Sequence, residues 1–382
     1  MDTATADWQQ EGAARFQQGS AFFRSQARPA RDLGVLAAAL ERQRLGSLNL
    51  LETMAGCGVR SLRYALEANV DRLVVSDADP ELQPLLQQNL AAIMGDRLDL
   101  RCDSARRLFA EAFAQQRFFD FVDVDAFGTA SEHLASAWDA VKVGGCLYFT
   151  ATDGRSLSGH DRDLAFRAYG VWARSHPSIP EQGLRLLIAT LQHQAWQRGF
   201  GIQPLFSYYS GQAFRVLIRF LPTGGKVNQQ GWLGYCHHCG QYQVRPWRQL
   251  SPVALQCPED GQPLALTGPL WIGPLHEVAY LQALQQQAIA WNWPAIADLL
   301  QQFQAEATLP PYCYTLGEIG RRGRQDPPAR SRLIQSLQNA GFAAAGSHCQ
   351  PQAFKTDAPW QTCLKLARSL VIDDANSSES AC

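Results

Sequence analysis

Charge is scarce in this sequence, and neither sign dominates. Of 382 residues 18% are charged; 34 Lys and Arg stand against 35 Asp and Glu, a formal charge of −1. That balance excludes a uniformly basic nucleic-acid coat and an acidic disordered chain, while leaving room for a local basic face. Long apolar runs are missing too. No stretch reaches the roughly 18 residues of a bilayer span, so no membrane segment is expected. The opening MDTATADWQQEGAARF is polar and lacks the apolar centre of a secretory signal, which points to the cytoplasm. There the ten Cys read as reduced thiols or metal ligands rather than a disulfide framework. Nothing indicates an obligate protein partner.

What is present is an alternation. Apolar extended runs at 47–51, 72–75, 98–102, 118–122 and 146–150 are separated by segments of helical spacing at 59–68 and 81–93. This rhythm predicts an α/β fold, a parallel sheet with helices on both faces. An amphipathic helix over 181–198 and two extended runs around Ser210-Gly211-Gln212 are expected to close the sheet with an antiparallel hairpin. Leu221-Pro222-Thr223-Gly224-Gly225 breaks all periodicity and marks a boundary. It divides a first domain, 1–222, from a second, 223–372, and the polar last ten residues, 373–382, read as a disordered tail.

The first run leads into Glu52-Thr53-Met54-Ala55-Gly56-Cys57-Gly58-Val59-Arg60. Gly56 and Gly58 let a ligand approach the backbone beside the unpaired N–H groups of a helix start. Asp77, just past the second run, is placed to hold a ribose diol. NAD and S-adenosylmethionine (SAM) both fit such a pattern. Ser61 stands where a dinucleotide site has its third glycine, and Glu52 is ill suited to a pyrophosphate but suited to a cationic ligand, so SAM is favoured. Asp103, after the third run, can accept from an adenine amino group or cap a helix. The fourth run ends in Asp123-Val124-Asp125-Ala126-Phe127-Gly128. A carboxylate that accepts an N–H from a base amine aims the nitrogen lone pair, and an aromatic face holds the base by stacking. Asp125 and Phe127 supply both within three residues; a plain turn at Gly128 with a core Phe is the alternative.

In the second half, Cys236-His237-His238-Cys239 and Cys257-Pro258-Glu259-Asp260 have the spacing of a structural zinc site. Cys236, Cys239, Cys257 and Asp260 form the candidate ligand set, with His237 or His238 as substitutes. Two basic clusters are candidate RNA contacts: Arg24, Arg28 and Arg31, and Arg321-Arg322-Gly323-Arg324 with Arg330 and Arg332.

Several of these segments together resemble the tRNA guanine-26 N2-dimethyltransferases, over roughly residues 20–370. Arg31-Asp32-Leu33 resembles the end of the family's Asn-Arg-Asp-Leu signature, with Ala30 in place of Asn. Gly56-x-Gly58-x-Arg60-Ser61-x-Arg63-Tyr64 resembles its SAM loop. Asp123 to Gly128 resembles its Asp-Leu-Asp-Pro-Phe/Tyr-Gly loop. Thr150-Ala151-Thr152-Asp153, the block Gly268 to His276, and His348 with Lys355-Thr356-Asp357-Ala358-Pro359 resemble further family blocks. The resemblance implies a class I SAM-methyltransferase sheet followed by a C-terminal α/β domain with a zinc-knuckle-like segment. It implies tRNA as partner and SAM as methyl donor. Arg31 and Arg60 are then expected at the SAM carboxylate or its surroundings, Asp77 at the ribose and Asp103 at the adenine. Asp125 becomes the catalytic carboxylate and Phe127 the stacking residue. Ala126 replaces the family's Pro, which removes a φ constraint and is expected to loosen the loop. Another base methyltransferase and a non-catalytic tRNA-binding protein remain alternatives.

Overall fold

A computed structural model describes residues 8–225, 227–251 and 255–379. An antiparallel hairpin of β1 (Trp8–Glu11) and β2 (Ala14–Gln17) leads to the helix Arg28–Leu45, which has Pro29 in its first turn and ends at Gly46 in the left-handed conformation. Proline fits the first helical turn and glycine the stop, so both ends are written locally.

The main sheet has seven strands. These are β3 (Asn49–Thr53), β4 (Arg72–Ser76), β5 (Leu98–Arg101), β6 (Phe119–Asp125), β7 (Val141–Ala151), β8 (Gly201–Tyr209) and β9 (Phe214–Leu221), in the order β5-β4-β3-β6-β7-β9-β8. The first five are parallel, while β9 runs antiparallel to both β7 and β8. The chain winds outward one way from β3 through β4 to β5, then the other way from β6 to β7. The crevice at the carboxyl ends of β3 and β6 is therefore the topological switch point, where open α/β sheets bind ligands. Register carries the point down to residues: Glu52 pairs with Asp123 and Thr53 with Val124, which sets the glycine loop beside Asp125.

After the turn at Pro222–Gly225 a second sheet forms from β10 (Gln230–Tyr235), β11 (Tyr242–Pro246) and β12 (Ala265–Trp271), in the order β11-β10-β12. A third comprises β13 (Tyr314–Thr315), β14 (Ala344–Gly346) and β15 (Ala353–Thr356), in the order β13-β15-β14. The two halves share their cores. One apolar cluster runs from Leu51 and Val122 of the main sheet to Trp360 and Ala367, and another joins Leu36 and Phe121 to Leu284 and Phe303. A buried ionic tie adds to this. Glu181 accepts from Arg185 at 2.7 Å and from Lys355 at 2.6 Å, and Arg185 also donates to the Trp271 and Gly273 carbonyls at 3.0 and 2.8 Å.

The final helix, Trp360–Glu379, carries helical backbone into the stretch 373–382 read as a disordered tail; residues 380–382 lie outside the described residues. No Gly or Pro interrupts the helix after Pro359. Among the described residues no helix is long and apolar enough to cross a membrane.

The helix Ile179–Trp196 lies so close to β9 that a Cβ on Gly183 would sit 2.2 Å from the Phe214 ring. Gly183→Ala is expected to destabilise the chain by roughly 1–3 kcal/mol despite alanine's better helix propensity. Thermal unfolding of the variant checks this; an unchanged midpoint would show that the ring yields freely.

Candidate active site

The loop after β3 turns on three left-handed residues: Met54 (φ 58°), Gly56 (φ 58°) and Gly58 (φ 75°). A Cβ on Gly58 would come within 3.1–3.2 Å of Leu86 and Leu90, and one on Gly56 would lie 3.7 Å from the Phe22 carbonyl. Gly56 thus lines a narrow cradle between the loop and the segment before the first helix. Asp77, at the end of β4, accepts from the Gly56 N–H at 2.9 Å and the Asp79 N–H at 3.0 Å. The cradle and the oriented, half-exposed carboxylate fit an extended cofactor carrying a ribose. Asp103 stands beyond β5 and is paired with Arg101 at 3.0 Å and Arg107 at 3.1 Å.

Beneath the loop lies a buried charged cluster. Arg60, in the helix Val59–Leu66, reaches both Asp123 oxygens at 2.8 and 2.7 Å and Asp125 at 2.5 Å. Tyr64, one helical turn on, donates to Asp123 at 2.7 Å. Arg215 of β9 holds the second Asp125 oxygen at 3.0 Å. The register explains this contact, since Asp125 pairs with Thr150 and Thr150 with Arg215 across three adjacent strands. Burial works to raise the Asp125 carboxyl, but the Arg215 and Arg60 guanidiniums overcome it and hold Asp125 well below the usual carboxylate range. Glu52 moves the other way. Complete burial, with Asp123 and Asp125 adding repulsion against the pull of Arg60, pushes it from 4.5 up to about 8, and Ser61 donates to it at 2.5 Å.

Phe127 is 64% exposed and meets Phe22, 58% exposed, edge to face at 5.1 Å. Two large aromatic rings left open to solvent beside Asp125 form a ready stacking surface. Ala126 is buried, and the loop is pinned next to it: the Gly128 N–H donates to Thr152 Oγ1 at 2.6 Å and the Thr152 N–H to the Gly128 carbonyl at 3.2 Å. That clasp supplies a restraint in place of proline.

The structure brings together Glu52, Gly56, Gly58, Asp77, Asp125 and Phe127 at one crevice. Arg31 and Arg60, expected at the cofactor carboxylate or its surroundings, are both turned into buried ion pairs. Arg31 is bound by Glu11 of the N-terminal hairpin at 2.8 and 2.5 Å and packs over Phe23. Phe22 and Arg215 escaped notice in the sequence. The two arginines inside the apolar run Phe214–Leu221, Arg215 and Arg219, were a signal for buried partners, here Asp125 and Glu41, whereas Phe22 carried none.

The basic clusters also read differently in three dimensions. Arg321 and Arg322 both grip Glu318, at 2.8 and 2.7 Å, and Arg322 further donates to the Tyr235 hydroxyl and the His237 carbonyl. Arg28 pairs with Asp32 at 3.6 Å, while Arg24 lies over the Phe22 ring.

Cys236, Cys239, Cys257 and Asp260 converge, each offering one donor atom within 4.8 Å of the others. Cys239 Sγ lies 3.4 Å from Cys257 Sγ, and Cys236 Sγ 3.4 Å from Asp260. Each half is a turn closed by a left-handed glycine, Gly240 or Gly261, whose N–H donates to the first cysteine's carbonyl at 2.9 Å. Backbone N–H groups of Cys239 and Gln241 support the sulfurs of Cys236 and Cys239. Three thiols and one carboxylate gathered in this way fit a tetrahedral zinc. His238 pairs with Asp260 at 2.8 Å, and His237 packs against Tyr235.

The sheet order, the glycine loop at the switch point and the acidic residues at successive strand ends define a class I methyltransferase fold. Within that class the chain belongs to the N2,N2-dimethylguanosine tRNA methyltransferase family, whose model matches residues 5–368. The tRNA (guanine(26)-N(2))-dimethyltransferase of Methanocorpusculum labreanum is 30% identical over 368 residues, covering 94% of this chain and 92% of its own. That of Thermococcus kodakarensis is 29% identical over 364 residues, covering 89% and 91%. The structure of Trm1 from Pyrococcus horikoshii in complex with S-adenosyl-L-methionine shares the fold, with a TM-score of 0.82 over 94% of this chain and 99% of that one, at 22% identity.

The burial of Glu52 has a pH signature. Its protonated form stabilises the folded state fully below about 4.5, and that contribution is lost as pH rises through about 8. Glu52→Gln is therefore expected to flatten the decline of stability across this window and to exceed the wild type at its alkaline end. Urea unfolding at a series of pH values measures the difference; parallel curves for the two proteins would contradict it.

Proposed function

We propose that this chain transfers methyl groups from SAM to the exocyclic N2 of guanine 26 in tRNA, giving N2-methyl- and then N2,N2-dimethylguanosine. The observation that carries this reading is the clamped carboxylate of Asp125 beside the open rings of Phe127 and Phe22, within a chain of this family. Gly56, Gly58, Asp77 and Asp103 hold the cofactor, with Glu52 beneath it, and SAM supplies a methyl group on a cationic sulfonium. Phe127 and Phe22 take the guanine, which must leave its stack to expose N2. Asp125 accepts an N2–H hydrogen bond and points the nitrogen lone pair at the methyl carbon. The N–C bond forms as the S–C bond breaks, and the proton leaves N2 toward Asp125 and solvent. A strongly acidic carboxylate suffices, because the nitrogen becomes cationic, and its proton labile, as the new bond forms.

The division of labour follows the chain: 1–222 carries the catalytic sheet, 223–372 supports tRNA binding, and 373–382 is a terminal appendage. The reading of the chain as cytoplasmic is in keeping with a tRNA substrate. Cys236, Cys239, Cys257 and Asp260 hold a structural zinc that fixes the two knuckle turns.

Nucleoside mass spectrometry on an unmodified tRNA transcript incubated with the chain and SAM tests the activity. Dimethylguanosine that disappears when guanine 26 is replaced by adenine is expected, and its absence despite SAM binding would sink the assignment. Asp125→Asn is expected to cut turnover by about 10²-fold or more while SAM still binds, and Phe127→Ala or Phe22→Ala to weaken tRNA use through lost stacking of about 1–3 kcal/mol. For the metal, one zinc per chain is expected by elemental analysis. Chelation should lower the unfolding temperature; Asp260→Cys should retain zinc and Cys236→Ser should lose it. A metal-free protein whose stability ignores chelator would rule this out.

A further inference from the structure

Glu318 already occupies Arg321 and Arg322, and Arg31 is buried, so cations outside those two clusters are candidates for the tRNA backbone as well. The segment 152–174 holds four arginines, Arg155, Arg162, Arg167 and Arg174. None has a carboxylate partner among the described residues, and the first three are exposed. Of the three aspartates in the segment, Asp153 and Asp161 are spent as helix N-caps, accepting from the N–H groups of Ser156 and Leu164. With four arginines against three aspartates the segment is net +1, and its three exposed arginines make no ion pair among the described residues.

Its position is as telling as its charge. At one end Thr152 clasps Gly128, next to Phe127. At the other, Trp172 exchanges backbone hydrogen bonds with Gly268 at 2.8 and 2.9 Å, and the Arg174 N–H donates to Thr267 at 2.9 Å, joining the segment to β12. The segment thus spans from the catalytic loop to the sheet that carries the knuckle. Between the two ends, the helix Arg162–Tyr169 buries Ala165 and Tyr169 and turns Arg162, Phe166 and Arg167 outward, with Phe166 61% exposed. Arginines interleaved with an open aromatic ring suit a phosphate backbone with an accessible base.

We infer that the segment 152–174 is the surface that grips the tRNA backbone beside the extruded guanine, with Arg155, Arg162 and Arg167 on phosphates and Phe166 on a neighbouring base. Arg24 lies over Phe22, which itself meets Phe127, and adds a further cation beside the stacking rings. The inference rests on the proposed tRNA methylation, and it assigns the contact to a segment on which neither basic cluster of the sequence lies.

The test uses the full chain with the unmodified transcript. In R155E/R162E both changes fall in the first turn of a helix, where glutamate is well tolerated, so folding is preserved. The control R72E reverses an exposed charge at the first residue of β4, at the opposite end of the sheet. For R155E/R162E the KM for tRNA is expected to rise roughly tenfold or more with kcat at saturating tRNA within about twofold, and the slope of log binding constant against log salt to fall by about 1.4–1.8. F166A should raise KM without changing that slope, and R72E should match the wild type. SAM affinity should be the same in all four proteins. Wild-type KM and slope in R155E/R162E, or an equal loss in R72E, would overturn the assignment while leaving the methylation reading intact. A wild-type chain that neither binds nor methylates the transcript would overturn both.

Discussion

Everything at the crevice depends on Arg60 being buried. Its guanidinium joins the helix after the glycine loop to the end of β6, and so fixes the distance between the cofactor cradle and the catalytic loop. Three carboxyl groups crowd around it. The guanidiniums of Arg60 and Arg215 hold Asp125 as its anion while burial drives Glu52 toward its neutral acid, which limits the negative charge crowded around Arg60. Removing Arg60 would leave Asp123 buried without its guanidinium, at a cost of roughly 3–5 kcal/mol, while Asp125 would keep Arg215. The same pairing explains why Asp125 is an aimed hydrogen-bond acceptor more than a strong base: each of its oxygens already serves a guanidinium, so its orientation is fixed before substrate arrives.

Much of the main sheet was legible because its strands are local apolar runs with glycine turns between them. The run at 118–122 corresponds to β6 and the extended run before Ser210 to β8, with the end of β6 three residues further on. The glycine loop, Asp77 and the Asp125–Phe127 pair could be read because their chemistry is written in short, ordered spacings. What could not be read was direction. Arg31 and Arg60 have the same composition signature whether they face a ligand or the interior, and only Glu11 and Asp123, brought in over long separations, decide it. The β1–β2 hairpin went unread for a related reason. It is polar in sequence and gains its order from Glu11 meeting Arg31 and Arg63. Charge runs hide their partners in the same way: Arg321 and Arg322 cluster in sequence, and Glu318 on the same helix pairs with both.

The second half of the chain is built into the first. Lys355 of the third sheet reaches Glu181 in the helix that covers the main sheet, and the Trp360 indole donates to the Cys239 carbonyl at 2.8 Å. Arg322 ties the same knuckle to its own helix through the His237 carbonyl. The knuckle turns are therefore braced from several sides, and their bearing on the catalytic sheet is set by buried contacts rather than by a hinge.

That shared core also dictates an order of events during synthesis. The apolar cluster containing Val122 and Phe149 also takes in Trp360, Cys363 and Ala367, which follow those strands only after a long stretch of chain. On the ribosome the parallel sheet can assemble, and the helix Ile179–Trp196 can cover it, before the third sheet and the final helix emerge to complete the cluster. A chain stopped before Trp360 would carry every residue proposed for the catalytic crevice and yet leave the apolar side of the third sheet, Tyr314 included, open to water.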